Sequence, residues 1–185
     1  KFGIEPEMGT MTKFLGPPLK DSFRDFYGFD DEKCEQAVKY YREYYTTKGI
    51  FENRVYDGVE ECLKKLSEAG LHLAVATSKP QVFAVKILEH FHLAQYFDYI
   101  GGAELDGSRS VKADVIVHTL KNCGVNDRSQ VIMAGDRYHD VLGAKALGID
   151  CIGMLYGYGT REELSQAGAV YIAETPLEAA KWLLG

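Results

Sequence analysis

The stretch VIMAGDRYHDVLGAKALGI, residues 131–149, decides the fold of this chain. Its first four residues are apolar and have the composition of a short buried strand that stops at Gly135. Two acids, Asp136 and Asp140, follow the glycine, and apolar residues then recur at helical spacing from Val141. The carboxylates therefore lie where a strand ends and its helix begins, the usual position of ligand sites in open α/β sheets.

These two acids predict a metal site. Because they lie within one crevice, they repel each other unless a cation lies between them, and oxygen-only ligands favour Mg²⁺ over zinc. In the alternative interpretation, Asp136 caps the next helix and Asp140 is solvated in its first turn, where acids are favoured. We favour the metal site because the pair directly follows a glycine at a strand end.

Composition excludes several classes of protein. The formal net charge of -6 argues against a nucleic-acid-binding surface, no apolar stretch has membrane-spanning length, and the first residues do not resemble a signal peptide. The four cysteines are far apart and form no Cys-x-x-Cys pair, which is typical of reduced, mostly buried thiols in a cytosolic protein. We therefore expect a cytoplasmic monomer or homodimer without a nucleic-acid or membrane partner.

The chain changes character near Asn53. Before it, two helical patterns follow one another, around Phe23–Tyr27 and from Asp30 to Tyr45, after a break at residues 16–19. After it, helices alternate with short apolar strands, which predicts a parallel sheet between helical layers. We thus predict a small all-helical unit, residues 1–53, and a Rossmann-like α/β core, residues 54–185. Its predicted helices cover 58–68, 80–90, 111–122, 161–166 and 176–184, and its strands 71–76, 98–101, 130–134, 151–155 and 169–172.

Two further polar signals follow predicted strands. Thr77 and Ser78 end the first apolar strand just before a helix, and hydroxyls with free helix N–H groups make an anion site, although such residues more often cap the helix. Lys112 stands at a helix start, where the dipole disfavours a cation unless an anion pairs with it. One edge of the sheet thus carries acids that can bind Mg²⁺, hydroxyls that can bind phosphate oxygens, and a lysine that can neutralise charge. This combination predicts phosphoryl transfer.

Other nucleotide and hydrolase motifs are absent from the sequence. It contains no Gly-x-x-x-x-Gly-Lys-Ser/Thr loop and no Gly-x-Ser-x-Gly elbow, and Gly157-Tyr158-Gly159 lacks the third glycine of a dinucleotide fingerprint.

With these motifs the sequence resembles the haloacid dehalogenase-like phosphatase superfamily, in particular its phosphoglycolate phosphatase-like branch. The family's second motif, a strand ending in Thr or Ser, is matched by Thr77 with Ser78 following; its third, a lysine at a helix start, by Lys112. Its fourth, Gly-Asp-x-x-x-Asp, is matched by Asp136 and Asp140. The resemblance implies that residues 1–53 are the small helical cap domain of this family, and that Ala113 replaces a frequent proline.

The family's first motif, Asp-x-Asp-Gly-Thr, occurs nowhere in these 185 residues. It carries the nucleophile and the general acid/base, and its strand is central in the family's sheet, between the strands that end at Thr77 and Asp136. Leaving both neighbours with unpaired buried edges is costly, so we expect an upstream segment of roughly 20–30 residues, enough for a strand, a loop and a helix. The 185 residues alone are not expected to catalyse the reaction.

The resemblance implies a Mg²⁺-dependent phosphatase that hydrolyses a small phosphorylated metabolite, such as phosphoglycolate, through an aspartyl-phosphate. Thr77, Ser78 and Lys112 would bind the phosphoryl group. Asp136 would bind Mg²⁺, and Asp140 would either bind it through water or orient Lys112. A nucleotidase or a sugar-phosphate mutase would use the same core, and a protein without the nucleophile would be an inactive binding protein.

Overall fold

The computed structural model describes residues 1–5, 14 and 19–185, and the chain divides into two compact units, Lys1–Asn53 and Arg54–Gly185. The first unit is helical within its described residues, and the strands of the second pair only in parallel. Across the described ranges, no helix combines the length and the apolar character that crossing a membrane requires.

Two helices, α1 (Leu19–Tyr27) and α2 (Asp31–Tyr45), form the first unit together with a 3₁₀ turn at Gly49–Phe51. The Asp30 side chain caps α2 by accepting a hydrogen bond from the backbone N–H of Lys33 at 2.9 Å, as the sequence predicted. The interior is filled by a group of contacting aromatic rings and by small buried residues, namely Phe14, Phe23, Tyr27, Phe29, Cys34, Ala37 and Ile50. Of the chain break predicted at residues 16–19, residues 16–18 lie outside the described residues, and Leu19 begins α1.

The second unit confirms the predicted alternation of strands and helices. In chain order it contains α3 (Val59–Glu68), β1 (Ala74–Pro80), α4 (Gln81–His90), β2 (Tyr99–Ala103), α5 (Lys112–Asn122), β3 (Ile132–Gly135), α6 (Tyr138–Lys145), β4 (Asp150–Met154), α7 (Arg161–Ala167), β5 (Tyr171–Ala173) and α8 (Pro176–Leu184). Local signals set several of these ends. Thr160 and Thr175 accept hydrogen bonds from the third residues of α7 and α8, and Gly70, with a φ of 81°, follows α3.

The first strand lies further along the chain than the sequence predicted. We expected residues 71–76, but pairing begins at Ala74, opposite Tyr99, and continues to Pro80. The side chains of Leu71 and Leu73, which precede it, pack against α3 and α8. The extension is possible because Gly102 has no side chain: a Cβ there would lie 2.6 Å from Lys79 O and from Gln81 Cα.

The predicted single sheet is divided in two. β1 pairs with β2, β3 pairs with β4, and β4 pairs with β5, whereas no ladder within the described residues joins β1 to β3. The free edges are accessible, and Ala134 in the middle of β3 is exposed. The observed parallel sheets therefore stop on either side of the position where the family resemblance places a central strand.

Helices hold the two sheets together. α5 packs on β1 and β2, α6 packs on β3 and β4, and the two helices contact each other. Their common core consists of apolar side chains from both sheets and both helices, among them Ala76, Ile116, Val141, Cys151 and Leu164. Complete burial of such an aliphatic side chain contributes ~1.5–3 kcal/mol, so this cluster is a main source of stability between the sheets.

Candidate active site

Two of the three polar signals follow the carboxyl ends of β1 and β3, and the third begins α5. Thr77 is the last regularly paired residue of β1, where it faces Gly102, and Asp136 directly follows Gly135, the last residue of β3. Lys112 is the first residue of α5, the helix that packs on β1. Since the carboxyl ends of parallel strands share one edge, these residues belong to the same end of the core, as the sequence predicted.

Lys112 points into this end of the core and not into bulk solvent. Its Nζ lies 2.8 Å from Oδ1 of Asp140 and donates a hydrogen bond to the carbonyl oxygen of Ala76 at 3.0 Å. The side chains of Lys112 and Asp140 are only 13% and 10% exposed. Gly143 makes room for the lysine, because a Cβ at that position would lie 2.5 Å from Lys112 Cγ. The ammonium group of Lys112 is thus fixed at the carbonyl oxygen of Ala76, the residue that precedes Thr77.

Asp140 is held from both sides. Its Oδ2 accepts the backbone N–H of Arg137 at 3.1 Å, and Gly135 packs so closely that a Cβ there would lie 2.2 Å from Asp140 Cβ. The alternative in which Asp136 caps the helix and Asp140 is solvated is wrong, because Arg137 is the N-cap of α6 and Asp140 is buried. Its contact with Lys112 corresponds to the second of its two predicted roles, orienting the lysine.

The carboxylate of Asp136 is oriented by the loop after β4. Oδ2 accepts the backbone N–H of Tyr158 at 2.9 Å, and the flanking glycines pack against the same aspartate. A Cβ on Gly157 would lie 2.2 Å from Asp136 Cβ, and a Cβ on Gly159 would lie 2.1 Å from Asp136 O. Within the described residues, Oδ1 of Asp136 has no protein donor. One oxygen of a pre-oriented carboxylate therefore remains for a ligand.

These residues fit a magnesium ion with few protein ligands. In the described part of the chain, no three His, Cys, Asp or Glu side chains are grouped as a metal cage. Mg²⁺ usually keeps several waters and is held by one or two carboxylates together with substrate phosphates. Asp136 suits this pattern as a direct ligand, whereas Asp140 already uses one oxygen for Lys112 and the other for Arg137.

Thr77 and Ser78 are not the cap of the following helix. The N-cap of α4 is Pro80, which has no side-chain hydrogen bond, and Oγ1 of Thr77 accepts the backbone N–H of Lys79 at 3.1 Å. This bond turns the chain within the irregular end of β1 and leaves the hydroxyl proton of Thr77 available to an acceptor. The ammonium of Lys112 contacts the carbonyl oxygen of Ala76, the residue before Thr77. The convergence of Thr77 and Lys112 on one anion stays a prediction.

Two supporting features were missed from the sequence. Glu163 of α7 accepts hydrogen bonds from Nε of Arg137 and from the backbone N–H of Tyr138, both at 2.9 Å. Burial alone would raise the pKa of Glu163, but these donors outweigh it and the pKa is lowered. The second feature is the Tyr158 backbone. A Gly-x-Gly pattern after a strand was the available signal for it, but the pattern alone did not predict a contact with Asp136.

Exposed aromatic rings accompany Asp136. Tyr158 is 58% exposed and Tyr56 is 43% exposed, and the Tyr56 ring meets that of Tyr156 edge-on at 5.1 Å between centroids. The pKa of Tyr56 is raised mainly by burial, and to a smaller extent by the neighbouring Tyr158 and Asp136. The exposed rings of Tyr56 and Tyr158 therefore offer planar apolar surface near Asp136, the candidate metal ligand.

Comparison with known proteins identifies the family. A family model described as haloacid dehalogenase-like hydrolase matches residues 1–154. A 5'-nucleotidase of Pseudomonas aeruginosa is 45% identical over 89% of this chain and 74% of its own length. Tyrosine-protein kinase PtkA of Mycobacterium tuberculosis is 38% identical over 90% of this chain and 56% of its own length.

Further relatives of this chain are named phosphatases. A phosphoglycolate phosphatase of Pseudomonas savastanoi is 31% identical over 81% of this chain, and the chain spans 54% of that relative. The crystal structure of a predicted phosphatase from Clostridium acetobutylicum is 48% identical, with a TM-score of 0.90 over 97% of this chain and 83% of the other. Such relatives support a phosphoric monoester hydrolase. The chain belongs to the haloacid dehalogenase-like hydrolase family.

Proposed function

We propose that the full-length protein is a Mg²⁺-dependent phosphatase that hydrolyses a small phosphorylated metabolite. The observation that carries this proposal is the ammonium of Lys112, which Asp140 holds at 2.8 Å beside the end of β1. A largely buried cation fixed by one carboxylate, at the same end of the core as a second, oriented carboxylate, suits a phosphoryl group better than a neutral substrate. The phosphatase relatives support the same reaction.

Each residue would have one task in this reaction. Thr77 and the Ser78 backbone would donate hydrogen bonds to phosphoryl oxygens, and Lys112 would neutralise the charge that these oxygens gain in the transition state. Asp140 would keep Lys112 in place, and Asp136 would hold Mg²⁺. When bound, the metal would supply positive charge that orients and screens the phosphoryl oxygens.

The nucleophile would come from a strand that precedes residue 1. The free edges of β1 and β3 support this part of the proposal, because one parallel strand between them would join the two sheets. Its terminal aspartate would attack phosphorus and displace the alcohol, and water would then hydrolyse the aspartyl-phosphate. The residues encoded before Lys1 provide a direct check. An Asp-x-Asp-Gly-Thr motif there supports the enzyme, and another sequence supports the binding-protein alternative.

A nucleoside monophosphate is the second candidate substrate beside phosphoglycolate. The 5'-nucleotidase is more similar to this chain than the phosphoglycolate phosphatase, with 45% against 31% identity. The exposed rings of Tyr56 and Tyr158 favour a leaving group with a planar ring, since stacking on an aromatic side chain contributes ~1–3 kcal/mol per base. Phosphoglycolate has no ring to stack.

The helical unit, residues 1–53, would act as the cap that selects the substrate and closes during catalysis. Its basic residues Lys20 and Arg24 pair with acids of the same unit: Lys20 with Glu35 at 3.2 Å and Arg24 with Asp31 at 2.7 Å. Hydrogen exchange with and without Mg²⁺ and a phosphate analogue tests closure. Ligand should protect the link, residues 49–55, and unchanged exchange there would favour a fixed helical layer.

Phosphatase assays of the protein with its upstream residues test the function. Asp136→Ala should abolish Mg²⁺-dependent hydrolysis, whereas Asp150→Asn, at an exposed position where β4 begins, should leave it unchanged. A panel of a nucleoside 5'-monophosphate, phosphoglycolate and glucose 1-phosphate separates the substrate classes. Near-normal activity of Asp136→Ala would refute the metal assignment.

The location is proposed to be cytoplasmic, which the four free thiols support.

A further inference from the structure

Arg109 is the centre of a hydrogen-bond network in the loop, residues 104–111, that joins β2 to α5. Its Nε donates to the carbonyl oxygen of Gly102 at 3.0 Å, Nη2 contacts Oε1 of Glu104 at 2.5 Å, and Nη1 lies 3.1 Å from Nδ1 of His118. The side chain is only 18% exposed. One guanidinium group therefore contacts the end of β2, its own loop and the middle of α5.

The network specifies the tautomer of His118. A guanidinium has donors but no acceptor, so Nδ1 of His118 must accept the hydrogen bond from Arg109. The single proton of a neutral imidazole is then on Nε2, which donates to the Tyr99 hydroxyl 2.9 Å away. The Asn122 amide is also near Nε2, at 3.3 Å, but donates to the His118 carbonyl oxygen at 2.8 Å. The His118 imidazole in this tautomer thus accepts a hydrogen bond at Nδ1 from the Arg109 guanidinium.

The N-terminus of α5 has no side-chain cap that would hold the preceding loop. Val111, the N-cap of α5, makes no side-chain cap hydrogen bond. Asp106 accepts the backbone N–H of Ser108 at 2.9 Å, which closes a local turn without reaching α5. Arg109 is three residues before Lys112, and its partners are on β2 and further along α5.

We propose that Arg109 is a positioning residue for Lys112. Fixed by the Gly102 carbonyl and by His118, it holds the loop so that Nζ of Lys112 reaches Ala76 O and Asp140. The effect on catalysis rests on the proposed function, whereas the effect on the position of Lys112 does not. In the competing explanation, Asp140 and Ala76 O hold Lys112 unaided and Arg109 only stabilises the fold.

The first experiment requires no enzymatic activity. The rate at which an amine-specific reagent modifies Lys112 is measured by mass spectrometry in the full-length protein at a temperature well below unfolding. Arg109→Ala should raise this rate several-fold. Arg161→Ala is the matched control, because it removes an exposed arginine paired with Glu174 at 2.9 Å and should leave Lys112 protected.

Two substitutions of His118 test the network itself. His118→Asn keeps an oxygen near the position of Nδ1 and should preserve the protection of Lys112, whereas His118→Leu removes the acceptor and should resemble Arg109→Ala. Nitrogen-resolved spectra of the imidazole should show a proton on Nε2 in the wild-type protein. A proton on Nδ1 would overturn the proposed contact.

A double-mutant cycle supplies the catalytic readout. Arg109→Ala should lower kcat by about tenfold or more, since small misplacements of a catalytic group have effects of that size. In a Lys112→Ala background the same change should have no further effect, because Arg109 acts through Lys112. Unchanged labelling of Lys112 in Arg109→Ala, or additive losses of kcat, would overturn the proposal. If the wild-type protein hydrolyses no phosphate ester, the proposed function fails, and the labelling rate alone decides the role of Arg109.

Discussion

The ion pair between Lys112 and Asp140 gives the sharpest stability prediction. Asp140→Asn keeps the size of the side chain and an oxygen that can accept the Arg137 N–H, but it removes the negative charge 2.8 Å from Nζ. Since both side chains are nearly buried, the lysine cannot reach water without moving. Breaking a buried pair from one side typically costs ~3–5 kcal/mol, and the retained oxygen places this case near ~3 kcal/mol.

The measurement is urea unfolding of the full-length protein, followed by circular dichroism and by tryptophan fluorescence, to which Trp182, the one tryptophan of these 185 residues, contributes. A loss of ~3 kcal/mol lowers the midpoint by about 1–2 M at a typical slope of ~2 kcal/mol/M. Asp150→Asn, on an exposed side chain, should change stability by less than ~0.5 kcal/mol.

The double variant separates a lost pair from a lost contact. Lys112→Met together with Asp140→Asn removes both charges and should be more stable than Asp140→Asn alone, because no unpaired ammonium remains. If Asp140→Asn costs less than ~1 kcal/mol, or if the two losses simply add, the buried pair is not the interaction described above.

Three other predictions follow from single positions. Gly157→Ala should cost ~1–3 kcal/mol and impair Mg²⁺-dependent hydrolysis, because its Cβ would lie 2.2 Å from Asp136 Cβ; retained activity with unchanged stability would contradict the packing. Burial raises the pKa of the Cys151 thiol to about 12, so the folded protein keeps a proton that the unfolded chain releases above pH ~9. The free energy of unfolding should therefore fall as the pH rises from ~9 towards ~12. In urea titrations at these pH values, Cys151→Ala should flatten this decline. Thr160→Ala removes the N-cap of α7 and should lower stability by about 1 kcal/mol, as measured by thermal unfolding, whereas an unchanged midpoint would show that the cap is dispensable.

Local chemistry made much of the fold readable from the sequence. Thr160 and Asp30 begin helices because their side chains satisfy free backbone N–H groups, and Gly70 follows a helix because it adopts a positive φ. The acids after β3 were recognisable as a site because Gly135 and Asp136 stand where an apolar strand stops. These signals act within a few residues and do not depend on the rest of the chain.

Tertiary contacts decided the rest. Lys112 and Asp140 are 28 positions apart, and only the packing of α5 against α6 at Gly143 shows that they form a pair. The extension of β1 to Pro80 depended on space above Gly102 in another strand, and the Tyr158 N–H reaches Asp136 across 22 positions. The sequence by itself determined which residues carry the chemistry and where helices begin. The structure decided which oxygen faces which donor, because those distances are set by packing between segments remote in the chain.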